Sequence, residues 1–273
     1  MKLSIVIPAR NEAGNVEKTV ALLRDHLDQA GITTFEILVV DDGSADDTFA
    51  LVQVEHERDA RIRVVRNNGK HGFGRAVRFG LEHFDGDAVI IFMADASDAP
   101  EDVVTYYYIL RDEADCAFGS RFMRGSRIYD YPRFKLLINR LANFVIRLLF
   151  WLPLNDVTNA FKGYRADVIK GCQPLISPHF NLTIEIPLKA IVRGYSYKVI
   201  PISWRNRHVG TSKLKLKEQG SRYLYTLLTV WFEYLLTRSD YRRDEDEKFE
   251  PWHEVEFKKA GQLAESAPKG DKS

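Results

Sequence analysis

Short runs rich in β-branched and aromatic residues recur along the first half of the chain: LSIVI (3 to 7), FEILVV (35 to 40), IRVV (62 to 65), AVIIF (88 to 92) and ADCAFG (114 to 119). Runs of this length with few polar interruptions predict buried strands. Between them, apolar residues return at helical spacing near 14 to 30, 46 to 58, 73 to 84 and 100 to 112. Strands alternating with helices of this length predict an α/β fold with a mostly parallel central sheet flanked by helices. Ligands of such sheets bind outside the carboxyl ends of the strands.

Four loops fall at that edge: PARNE (8 to 12), DDGSADDT (41 to 48), NNGKHGFG (67 to 74) and MADASD (93 to 98). Each combines turn formers with acids, bases or glycines, the composition of a site for a charged, phosphate-bearing ligand. Each also has a plainer reading. In DDGSADDT, Ser44 could cap a helix whose positive end favours Asp46 and Asp47. The glycines of GKHGFG could form only a turn that opens a helix. No Lys-Ser/Thr pair follows them and the G-x-G-x-x-G spacing is incomplete, which disfavours a P-loop or a dinucleotide site.

Two later segments are more apolar than a soluble core needs. RFKLLINRLANFVIRLLFWLPL (133 to 154) places Arg140, Asn143 and Arg147 on one helical face and Leu141, Phe144, Val145 and Leu148 on the other. It fits a helix lying among lipid headgroups, or an ordinary amphipathic helix packed on the sheet. SRYLYTLLTVWFEYLLTR (221 to 238) is apolar almost all round but is interrupted by Glu233 and is too short to span a bilayer. Interfacial docking, a membrane-anchoring partner or a second copy of the chain would cover it. The strings SDYRRDEDEKFE and AESAPKGDKS beyond it look solvated.

At 273 residues the chain accommodates one catalytic domain with a C-terminal extension. Its 39 Lys and Arg nearly balance 38 Asp and Glu, so no nucleic-acid partner is expected. Cys116 and Cys172 lack metal-ligand spacing and read as buried thiols of a reducing compartment. The start, MKLSIVIPARNE, is too short in apolar residues for a secretory signal, so a cytoplasmic location is expected.

Taken in order, SIVIPARNE, EILVVDDGSADDT, NNGKHGFGRAV, MADASDAPE, GSRF, DVTNAFKGYR and HVGTSKLK resemble the motif series of the inverting glycosyltransferase family 2. Within it they resemble the polyprenyl-phosphate hexosyltransferases of the dolichyl-phosphate mannose synthase type. The resemblance runs from about residue 3 to 215. It implies a GT-A nucleotide-sugar fold over 1 to 215, followed by an interfacial or packing helix (216 to 238) and a charged, partly disordered tail (239 to 273). It further implies transfer of a mannose- or glucose-type hexose from a GDP- or UDP-sugar to a dolichyl or undecaprenyl phosphate, by an enzyme peripheral on the cytosolic membrane face.

On this resemblance Pro8, Arg10 and Glu12 border the nucleoside, and Asp41 and Asp42 meet the base or ribose. Gly72, Gly74 and Arg75 let the chain approach the donor closely. Ala94 and Asp95 lie beside the diphosphate, with Mg2+ or Mn2+ as cofactor. Asp95 matches the second acid of the family's Asp-x-Asp motif, but Met93 stands where the first would be. A thioether is a poor ligand for a hard cation, so Asp95 is expected to hold the metal with help from Ser97 or Asp98. Arg121 with Arg133 or Lys135 would hold the acceptor phosphate, and Arg207 and Lys213 the donor phosphates. Asp95, Arg121, Lys135 and Lys213 thus carry the catalytic roles. Asp156 and Glu185 could contact sugar hydroxyls, or cap a turn and pair with a cation.

Two other functions fit the same residues. A saccharide hydroxyl acceptor in envelope polysaccharide synthesis would need a general base, for which Asp98, Asp156 and Glu185 are available. The missing acid at position 93 also admits a non-catalytic nucleotide-sugar-binding protein at the membrane.

Overall fold

The computed structural model describes residues 1–206, 216–244 and 248–255. Strands β1 (Leu3–Ala9), β2 (Phe35–Asp41), β3 (Ile62–Arg66) and β4 (Ala88–Ile91) are parallel and lie in the order β3-β2-β1-β4. They are joined by α1 (Val16–Gln29), α2 (Thr48–Arg58) and α3 (Phe73–His83). β1, β2 and β4 are buried on both faces, as strands covered by helices must be. Successive side chains point to opposite faces. Ile5 and Ile7 therefore join one core with Val20 and Leu23 of α1, while Val6, Leu38 and Val40 join the other with Val77 of α3.

Helix α4 (Pro100–Asp112), with Pro100 at its start and Glu101 and Asp102 in its first turn, leads into β5 (Cys116–Ser120). The remaining strands leave no clear periodicity in the sequence. β7 (Lys162–Arg165) inserts antiparallel between β4 and β5, and β8 (Tyr197–Pro201) closes the seven-stranded sheet parallel to β5. β6 (Arg127–Tyr129) and β9 (Ser203–Arg205) form a separate two-stranded ribbon over the carboxyl edge.

Helix α5 (Arg133–Phe150) ends at Trp151, in the left-handed region at φ 53°. α6 (Ala166–Gly171) precedes α7 (Leu182–Val192), which is buried almost all round. α8 (Leu216–Leu236) lies against α7, with Leu227 and Val230 inward, and short α9 (Arg238–Tyr241) comes after it. Glu233 of α8 receives both arms of Arg193, at 2.7 and 3.0 Å, so its charge is neutralised at the protein side of the helix.

Arg243, Phe249 and Glu250 meet the sheet at its amino-terminal edge. There Arg243 donates to Asp115, and Arg165 donates to the carbonyls of Leu110, Arg111 and Glu250 beneath the Phe249 ring. Cys116 and Cys172 are buried free thiols.

α5 is turned differently from its pattern. Asn143, expected on a polar face with Arg140 and Arg147, points inward, where its amide donates to Asn139 and Thr158. The apolar residues Leu137, Leu141, Phe144 and Leu148 point outward, each roughly three-fifths exposed. Among the described residues no helix is long and apolar enough to cross a membrane.

Candidate active site

The first three loops are stitched to one another. Asn11 exchanges hydrogen bonds with the second loop: its N–H donates to Ser44 Oγ, and its side chain accepts from Ala45 N–H. Ser44 therefore serves the first loop and does not cap α2. Asp41, fully buried, accepts from Ser44 N–H (2.9 Å) and Arg66 Nε (3.1 Å). Asp42 accepts from Asn67 Nδ2 and Gly72 N–H, both at 2.7 Å, with the His71 ring 3.4 Å away. Both carboxylates thus build the loops that a nucleoside would meet.

Pro8 and Glu12 are half-buried and Arg10 is exposed at this rim. Gly72 sits at φ 146°, a conformation that side chains rarely adopt. At Gly74 a Cβ would come within 2.5 Å of the Ser177 carbonyl, so its close approach is to the 177–179 loop. Arg75 reaches back to donate to the His71 carbonyl.

The fourth loop turns sharply at Ala96, whose φ is 50°, and Asp95 accepts from Ser97 N–H at 3.1 Å. Met93 is half-buried, and Ala94 and Ser97 are buried. Asp98 is buried with its Oδ2 lacking any hydrogen-bond partner. Burial, and then the negative charge of Asp95, push its carboxyl up to about 7. A buried, orphaned carboxylate oxygen beside a second acid suits a hard divalent cation, and Mg2+ commonly takes only one or two protein carboxylates beside substrate phosphate. Among the described residues no group of three or more acid, His or Cys side chains could hold a metal without that help.

Across the edge, Arg121 follows β5. Its Nε and Nη2 grip Asp156 at 2.8 and 2.7 Å, and its backbone N–H bonds the same carboxylate. Burial opposes the charge of Arg121, but Asp156 holds its pKa above the ordinary arginine value. The guanidinium lies 5.5 to 5.9 Å from the ring centroids of Phe122, Tyr131 and Trp204. Arg121 and Asp98 feel each other's charge, so a group suited to an anion adjoins one suited to a cation.

Arg133 and Lys135 lie in the exposed first turn of α5. Arg207 and Lys213 lie outside the described residues. Glu185 is spent inside the fold, accepting from Ile176 N–H, Ser177 N–H and Lys189. One buried charge of this edge is not singled out by the sequence motifs: Lys162, its ammonium pulled down to about 7 by burial. Its only signal is a lysine directly after Phe161 in a run that proves to be a strand.

Loops able to enclose a nucleotide, acids suited to a cation and a guanidinium suited to an anion converge on one strand edge, the layout of a transferase for phosphate-bearing substrates. Residues 4–172 match the model for Glycosyl transferase family 2; the chain belongs to that family and is a glycosyltransferase. It is 31% identical to the polyprenol monophosphomannose synthase of Mycolicibacterium smegmatis, over 77% of this chain and 80% of that one. Identity to the dolichol-phosphate mannosyltransferase of Pyrococcus furiosus is 29%, covering 84% of this chain and 64% of the relative. Identity to the undecaprenyl-phosphate mannosyltransferase of Micrococcus luteus is 27%, covering 78% and 88%. In fold the chain is similar to glucosyl-3-phosphoglycerate synthase of Mycobacterium tuberculosis, crystallised with Mn2+, UDP-glucose and phosphoglyceric acid. That likeness has a TM-score of 0.63 at 19% identity, covering 84% of this chain and 79% of that one.

Proposed function

We propose that the protein moves a hexose, of the mannose or glucose type, from a GDP- or UDP-sugar to a polyprenyl phosphate, with inversion at the anomeric carbon. The observation that carries this reading is the buried Arg121, held by Asp156 and walled by aromatic rings beside the Asp95 and Asp98 carboxylates. An anionic phosphate oxygen is already a nucleophile, so the site needs an arginine to place it and no general base. The acceptor oxygen forms a bond to the anomeric carbon as the bond to the diphosphate breaks, and the nucleoside diphosphate departs with the electron pair.

Asp95 and Asp98 would hold a divalent cation, Mg2+ or Mn2+, whose chemistry there is neutralisation of the departing diphosphate. The nucleoside would lie against the first three loops near Pro8, Arg10 and Glu12, with Asp41 and Asp42 fixing the loops' shape. For a hydroxyl acceptor, Asp156 is committed to Arg121 and Glu185 to backbone amides and Lys189, which leaves Asp98 as the one of the three candidate bases with an oxygen unengaged among the described residues, and it would serve only if it did not hold the cation.

The lipid acceptor fits the outward stripe of α5. Leu137, Leu141, Phe144 and Leu148 run along it beside Arg133, Lys135, Arg140 and Arg147, and α5 contains no acid. An apolar stripe flanked only by cations suits an interfacial helix on an anionic membrane surface. On α8, Leu224, Leu228, Phe232 and Leu235 add a second exposed apolar row. The enzyme would then be peripheral on the cytosolic face; a membrane-anchoring partner or a second copy would cover the same surface.

Purified protein incubated with Mg2+ or Mn2+, a short polyprenyl phosphate and a panel of nucleotide sugars should yield polyprenyl-phosphate hexose, read by mass spectrometry. Nucleotide-sugar binding with turnover only on saccharide hydroxyls, or with no turnover, would overturn the proposal.

A further inference from the structure

Lys162 opens β7 opposite Ile91 of β4 and is 1% exposed, at the carboxyl edge of the sheet. Its ammonium is held by backbone oxygens: it donates to the carbonyl of Val157 at 2.8 Å, to that of Asn159, and to that of Thr183 at 3.3 Å. A lysine has three donors, so this one is saturated by backbone and has none left for a ligand. Two of the carbonyls lie in the turn between Asp156 and Phe161; the third lies in the first turn of α7.

That turn carries the residue on which Arg121 depends. Asp156 takes the backbone N–H, Nε and Nη2 of Arg121, so the aim of the guanidinium's remaining edge follows the position of the turn. Asn159 adds a tie to the Gly119 carbonyl of β5. The groups facing the ammonium electrostatically are Asp156 and Asp98, which favour its charge, and Arg121, which with burial opposes it. A buried lysine is costly unless its hydrogen bonds are complete. An apolar residue at this edge would orphan the three carbonyls.

We infer that Lys162 is a positioning residue for the acceptor phosphate: it clamps the 156–160 turn to α7 so that Asp156 keeps Arg121 aimed at the phosphate, without touching substrate itself. This rests on the acceptor-phosphate reading of Arg121. The donor loops after β1, β2 and β3 share no hydrogen bond with Lys162 among the described residues, so the clamp acts on the acceptor side; its charge reaches the fourth loop only through Asp98, the residue proposed to hold the cation.

The test is isothermal titration of Lys162→Gln and Lys162→Arg with geranyl phosphate and, separately, with a nucleoside diphosphate in chelator, so that the cation proposed on Asp98 does not enter the comparison. Lys162→Gln is expected to weaken geranyl phosphate binding about tenfold and leave nucleotide binding within twofold. Lys162→Arg, which keeps the charge and most donors, is expected to recover most of that loss. Equal weakening of both ligands, or no change in either, overturns the inference. If Lys162→Gln does not fold, Lys162→Arg carries the test alone: a twofold to threefold loss for geranyl phosphate only is expected, and parallel losses or none overturn it. Wild-type turnover is the separate control. Absence of lipid product while wild type still binds geranyl phosphate sinks the proposed function and leaves the binding ratios to judge Lys162; a wild type that does not bind geranyl phosphate overturns both.

Discussion

Replacing Asp98 by asparagine should stabilise the metal-free protein at alkaline pH while impairing catalysis. Burial and the neighbouring Asp95 raise the Asp98 carboxyl from 3.8 to about 7. Below pH 3.8 both folded and unfolded states hold the proton and no difference arises. Between 3.8 and 7 the folded state keeps a proton that the unfolded state releases, so the folded state loses relative stability as pH rises; above 7 the penalty is constant. Each pH unit is worth about 1.4 kcal/mol, which sets an upper bound of about 4 kcal/mol at pH 8 and about 2 kcal/mol at pH 5.5. Asparagine still buries a polar amide, so roughly 2 kcal/mol of net gain is expected at pH 8, or about 4 °C in Tm. Thermal melts of both proteins in chelator, at pH 5.5 and pH 8, measure this. Millimolar Mg2+ with a nucleoside diphosphate should then raise the wild-type Tm more than that of the variant, and the variant's turnover should fall at least tenfold. A variant no more stable than wild type at pH 8, or an advantage equal at both pH values, would refute the electrostatic account of this acid.

Arg121→Lys exchanges a bidentate fork for a point charge and should raise the acceptor KM about tenfold or more, with the donor KM within twofold; initial rates with each substrate varied decide it. Leu141→Glu with Phe144→Glu should leave Tm within about 2 °C, since both side chains are exposed, and should abolish flotation with anionic vesicles; flotation equal to wild type would remove α5 as the docking face. Arg193→Met leaves Glu233 without its bidentate partner at the α7–α8 contact and should cost about 3 kcal/mol in urea unfolding, whereas a loss below about 1 kcal/mol would show that α8 is held mainly by its apolar face.

The first half of the fold was legible because one physical rule governs it. Parallel strands buried on both faces need unbroken apolar runs, and the five expected strands appear within a few residues of the observed ones. β7 was not legible, since KGYR contains two charges and a glycine yet is buried throughout. Lys162 and Arg165 are tolerated there because backbone carbonyls absorb their donors, an arrangement made largely by residues distant in sequence. The orientation of α5 was hidden for a related reason: Asn143 faces inward only because Asn139 and Thr158 meet it, so the helical pattern alone named the wrong polar boundary.

At the site, the sequence identified the loops but not how their charges are used. Asp41 and Asp42, given to the nucleoside by the resemblance, and Asp156 and Glu185, left open between sugar contact and a cap or cation pair, are each hydrogen-bonded by the chain itself. What remains for substrate is set by the balance of buried charge. Fully ionised, Asp95, Asp98 and Asp156 would outnumber Arg121 and Lys162 by one at this edge, but burial keeps a proton on Asp98 up to about pH 7, so the excess is complete only when that proton is lost or displaced by a cation. With a divalent cation held by Asp95 and Asp98, the same edge becomes net positive. On that proposal Met93 is intelligible: a further acid there would deepen the excess, and Asp98, three residues beyond Asp95 in the turn that leads into α4, would supply the second carboxylate.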